Sequence, residues 1–143
     1  NINIIEKKMR KQPRISSAPI IQLPAIQQGY YYYPLGAPGN GTYATIPINT
    51  VGTLIQMTNA PTANTWYLDF TGVSLSINFA ITITVLIPQG GTAYNPTVLV
   101  NGYTVTVIGS GASGTTSRTN AYYYTILCTG PNQYSVFGYA QPV

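Results

Sequence analysis

The sequence predicts an all-β protein: a jelly-roll-like β-sandwich of about eight antiparallel strands behind an extended N-terminal arm. Three observations carry the prediction. Ile81, Ile83, Val85 and Ile87 alternate with Thr82 and Thr84, and Trp66, Leu68 and Phe70 alternate with Tyr67, Asp69 and Thr71, so each run has one buried and one polar face at period two. Short runs rich in Val, Ile, Thr and Tyr are divided by turn residues throughout the second two-thirds of the chain. Pro19, Pro24, Pro34 and Pro38 stop any helix or central strand from running through residues 15–38.

Taken in order, residues 1–14 form a basic tip and residues 15–41 an apolar, proline-studded arm ending in an elbow. Residues 42–143 form the β domain. No helix is placed except for a turn at residues 4–11. Ile15, Ile20, Ile21, Leu23 and Ile26 are too apolar for a solvated linker, so the arm needs a surface on its own subunit or a neighbour. The elbow, GYYYYPLGAPGNG from Gly29 to Gly41, allows Tyr30 to Tyr33 one short strand with alternate rings toward the body and toward a neighbour. Tyr31 and Tyr33 are the candidate interface residues.

Strands follow near Thr42 to Ile46, Gly52 to Thr58, Thr65 to Thr71, Phe79 to Ile87, Thr97 to Asn101, Tyr103 to Ile108, Ala121 to Cys128 and Gln133 to Tyr139. Asn101-Gly102 lies between alternating runs, and both residues tolerate the positive φ of a type I′ turn, which predicts a tight hairpin. Thr129 to Asn132 predicts a looser one, and Gly109 to Ser117 a longer Gly/Ser loop.

Charged residues are 6% of the chain, against about 25% in ordinary soluble domains. Lys7, Lys8, Arg10, Lys11 and Arg14 with Glu6 give the tip a net +4, while Asp69 and Arg118 are the only charges beyond it. These two invite pairing with each other or with a neighbouring subunit, and an exposed pair contributes only ~0–1 kcal/mol. With no histidine and two acids, a Ser/His/Asp triad, a His-based metal site and a paired-carboxylate site are not available. The glycine-rich stretches Gly36 to Gly41 and Gly109 to Gly114 lack a Walker lysine. The chain is therefore not expected to be an enzyme, and no catalytic, cofactor-binding or metal-ligating residue is assigned. Cys128 reads as a small buried hydrophobe.

Nor is nucleic acid an expected partner, because the basic tip lacks interleaved aromatics and the body adds no basic patch. No apolar run approaches the ~20 residues of a membrane span, and the basic run leads into prolines instead of a signal-peptide core. The tip residues and Ile20, Ile21, Leu23 and Ile26 are the candidate anchoring residues. Thirteen tyrosines supply recognition surface for a partner subunit or a cell-surface glycan.

The stretch TWYLDFTGVSLSINFAITITVLIPQGGTAYNPTVLVNGYTVTVIGSG, followed by YYYTILCTGPNQYSVFG, resembles a β-rich module of virion structural proteins of marine tailed phages, including cyanophages. The resemblance spans roughly residues 65–140 and is sharpest at Gln89 to Tyr94 with Pro96. It departs at Val107-Ile108, where such modules often carry a Lys-Trp pair. It implies a non-enzymatic virion component, a capsid decoration or fibre-type subunit, with other virion proteins and further copies of itself as partners. The alternatives are a subunit of an extracellular filament assembled by N-terminal strand addition and a carbohydrate-binding receptor module.

Overall fold

The computed structural model describes residues 30–33, 36–109 and 113–143. The basic tip, the anchoring residues Lys7, Lys8, Arg10, Lys11, Arg14, Ile20, Ile21, Leu23 and Ile26, and the turn expected at residues 4–11 lie outside them. The described chain is all-β. Its strands are β1 (Tyr30–Tyr33), β2 (Tyr43–Pro47), β3 (Leu54–Met57), β4 (Tyr67–Thr71), β5 (Ala80–Pro88), β6 (Thr97–Val100), β7 (Tyr103–Thr104), β8 (Val107–Ile108), β9 (Thr119–Gly130) and β10 (Gln133–Pro142).

They form two sheets, a six-stranded one ordered β1-β3-β5-β9-β10-β8 and a four-stranded one ordered β2-β4-β6-β7. The chain alternates between them from β1 to β6, and within each sheet the successive strands pair in parallel. This is a solenoid-like coil and not the antiparallel jelly roll expected. Only β5–β9, β9–β10 and β6–β7 are antiparallel. Period-two alternation identifies the buried face of a strand, but it carries no information about which strand lies alongside, and the pairing direction was misread for that reason.

The coil has a constant step. Tyr30, Leu54 and Thr84 align across the six-stranded sheet, and each is followed 13 residues later by Tyr43, Tyr67 and Thr97, which align across the other. The corners between these positions stack on one another: Thr62 N–H donates to Pro38 O at 2.8 Å and Gly41 N–H to Thr65 O at 2.7 Å. Backbone groups that a loop would leave to water are thus paired with the next corner. The return connections differ, with one short helical turn, α1 (Ile48–Val51), in the first. That turn was not expected, since Ile, Thr and Val are weak helix formers, and a single turn gives no periodicity to read. The second return passes through Gly72 at φ +68°, where a Cβ would collide with the Asn49 side chain.

The core fills the space between the sheets. Ile46, Leu68, Phe70, Ile55, Val85 and Tyr124 are among its fully enclosed members, as is Trp66, whose ring N–H is donated to Tyr94 O at 2.9 Å. Asn101 and Gly102, at φ +50° and +81°, make the expected tight turn between β6 and β7. Tyr103 to Ile108, expected as one strand, divides into two, because β7 belongs to the four-stranded sheet and β8 crosses to the other.

Candidate functional site

The two expected interface tyrosines both point inward. Tyr33 is a core residue at 4% exposure, and Tyr31 is half-buried with its ring 6.2 Å from that of Tyr33, edge to face. Burial pushes the Tyr33 phenol above its ordinary pKa, with a further push from Tyr31, against a backbone hydrogen bond at Thr45. The rings left exposed on this strand are Tyr30 and Tyr32, at 57% and 59% exposure. β1 is also the last strand of its sheet, as β2 is of the other, so among the described residues the coil ends here in two open strand edges.

The segment Gln89 to Pro96 forms the third corner of the coil, and it is built around a buried amide. Gln89 Nε2 donates to Tyr122 Oη at 2.9 Å and to Tyr94 O at 3.2 Å, while Gln89 Oε1 accepts the Tyr94 N–H at 3.0 Å. The Tyr122 hydroxyl donates to Asn95 Oδ1 at 2.7 Å, and the same oxygen accepts Gly114 N–H. Asn120 closes the neighbouring loop by bonding both backbone groups of Thr115. Burial raises the Tyr122 pKa, with the Gln89 hydrogen bond acting the other way. Among the described residues no enclosed side-chain polar atom lacks a partner. This network is complete without a ligand, and its role is to fix the corner against the 113–118 loop.

Asp69 and Arg118 have separate structural partners. Asp69 is buried and its Oδ1 accepts Gly102 N–H at 3.0 Å, tying the hairpin turn to β4, while the Arg118 carbonyl accepts Gln89 N–H. Asn101 does more than make the turn: its amide accepts Val73 N–H at 3.0 Å and donates to Val73 O at 2.8 Å, as a paired strand residue would. Cys128 is buried, as expected, with its thiol toward Gly130 O. Among the described residues no group of three or more His, Cys, Asp or Glu is placed to hold a metal ion, and no helix is long and apolar enough to cross a membrane.

The outer face of the six-stranded sheet carries aromatic residues where polar ones are usual. Tyr139, Tyr123, Thr84, Leu54 and Tyr30 form one row across it, and Ile108, Phe137, Thr125 and Thr82 another. Tyr123 and Tyr139 stack at 4.8 Å. Sequence reasoning did not single out Phe137 or Tyr139. The signal was present in SVFGYAQ, where Val136 takes the inward phase and both rings fall on the outward one.

Comparison with known protein families, curated proteins and solved structures finds no match to this chain.

Proposed function

We propose that this protein is a non-enzymatic structural subunit of a phage virion, a capsid decoration or fibre-type component anchored to neighbouring subunits through its N-terminal arm. The observation that carries the reading is the open coil end: β1 and β2 each leave one strand edge unpaired among the described residues, at the point where residues 1–29 join the fold. A solenoid-like coil needs something on its end, since exposed edges template association. The resemblance over residues 65–140 and the charge-poor Ser/Thr/Asn/Tyr surface support the same reading. Burial of Ile20, Ile21, Leu23 and Ile26 on a neighbour would stabilise attachment by about 25 cal/mol per Å² of apolar surface, less the cost of ordering the arm. Deleting residues 1–28 is expected to leave a folded domain that no longer joins the particle. Normal occupancy of the truncated protein would remove the anchor.

The open edges also favour a second reading, an extracellular filament in which the arm adds a strand to the next subunit. Pro24 weakens it by interrupting the candidate strand. Electron microscopy of the purified subunit separates the two: linear polymers indicate the filament, and monomers or closed trimers the virion subunit.

A further inference from the structure

We propose that the groove on the outer face of the six-stranded sheet is a binding site for a neutral saccharide. The groove has a volume of about 460 Å³, within the ~300–1,000 Å³ range of small-ligand sites. Tyr123, Tyr139, Phe137, Ile108, Thr82 and Thr125 line it. The pleat accounts for its shape. Thr82 and Thr125 are cross-strand neighbours on the outward phase of β5 and β9, and their short side chains lie below the longer rings and the Ile108 side chain around them.

Its chemistry is selective. Phe137, Tyr139 and Ile108 are 44%, 51% and 51% exposed, so apolar surface stands in water beside the groove. The two threonine hydroxyls lie 3.1 Å apart and bond each other, which still leaves one O–H and several lone pairs for a ligand. The Tyr123 hydroxyl, which accepts from Gln141 Nε2 at 3.3 Å, keeps its own proton to donate. Among the described residues no charged side chain lines the groove. An anionic or cationic ligand would lose hydration there without a counter-charge. A pyranose ring fits these constraints: its C–H face packs on an aromatic ring and its hydroxyl edge meets the neutral donors and acceptors. A second copy of this chain fits less well, because groove set against groove encloses a void that neither surface fills.

The lining residues named here fall between Thr82 and Tyr139, so substitutions in the groove and deletion of residues 1–28 test the two proposals separately. The test is titration of the full chain with cellotriose, maltotriose and mannotriose, followed by NMR, with sialyllactose as the charged counterpart. At least one neutral trisaccharide is expected to bind with a Kd below about 1 mM and to shift the resonances of Phe137, Tyr139 and Thr125. Phe137→Ala and, separately, Thr125→Val are expected to weaken that binding tenfold or more, with the circular dichroism spectrum unchanged. Should either variant unfold, Ile108→Ser reads the same groove from β8. Absence of binding at 10 mM by all three sugars overturns the proposal, as does binding indifferent to these substitutions. So does sedimentation equilibrium showing that this face is closed by self-association that Phe137→Asp abolishes.

Discussion

The two ends of the coil are finished in opposite ways. At one end β1 and β2, four and five residues long, close no edge among the described residues. At the other, β9 and β10, twelve and ten residues long, pair antiparallel with each other, and β9 lies along the full length of β5. A coil of parallel rungs offers the same edge at every step and has no intrinsic stop, so one end here is ended by a change of strand direction. The other end leaves its strand edges unpaired among the described residues. Long pairing is accordingly concentrated at the hairpin end, and the open edges at the first rung.

The largest expected effect lies at the hairpin end. Tyr124 is fully enclosed, packed 5.6 Å from the Phe70 ring and 6.3 Å from that of Tyr122, and it joins the terminal hairpin to the four-stranded sheet. Tyr124→Ala should destabilise the domain by about 3–5 kcal/mol, read as a drop in the denaturant midpoint. A loss below 1 kcal/mol would mean that the hairpin is not what secures the coil.

Next is the third corner. Gln89→Ala removes the amide that serves Tyr122 and Tyr94 and leaves the Tyr94 N–H unpaired, while Tyr122 keeps Asn95 and Tyr94 O keeps Trp66, at a cost of about 1–3 kcal/mol. Hydrogen exchange at Tyr94 and Gly114 should rise more than at Tyr33, because the first corner is not tied to this network. Uniform acceleration would show instead that the coil opens as one unit.

The buried tyrosines also predict an alkaline limit. Tyr124, Tyr122 and Tyr33 all have raised pKa values, chiefly through desolvation, against an ordinary value of 10.0. Above pH 10 the unfolded chain loses these protons and the folded one retains them. Their contribution to stability is therefore complete below about pH 10 and declines as pH rises past it. Thermal melts at pH 8, 10 and 11 should fall slightly over the first interval and more over the last, with a smaller fall for Tyr122→Phe.

Much of this was legible in residues. Trp66, Leu68 and Phe70, and Ile83, Val85 and Ile87, are buried as their alternation requires, and Asn101-Gly102 turns as its φ tolerance allows. The coil was harder to read because its 13-residue step is a matter of geometry more than identity. GAPGNGT, NAPTANT and QGGTAYN occupy equivalent corners, yet each satisfies its backbone differently. Gln89 could be noticed only as part of a short motif, since nothing local says that its amide will be enclosed. The strand from Tyr30 to Tyr33 was foreseen, but Tyr31 and Tyr33 turn inward, and choosing which alternate residues do so needs the position of the opposing sheet.

That phase supplies the prediction with the smallest effect on the fold and the sharpest consequence for the comparison. Tyr30 and Tyr32 contribute their backbones to the β1–β3 ladder and their rings to solvent. Replacing both by Ser should change stability by no more than about 0.5 kcal/mol per residue, as for surface positions generally. Tyr33→Ser, in contrast, removes a core ring and should lower stability outright. If the first rung is an assembly surface, the Tyr30/Tyr32 pair of substitutions should reduce incorporation into the particle while the melting temperature holds, and Tyr33→Ser should lower both together. Unchanged incorporation after loss of both outward rings would confine attachment to the open strand edges and residues 1–29. Backbone pairing would then be the means by which the coil meets its neighbour, with no contribution from aromatic contact.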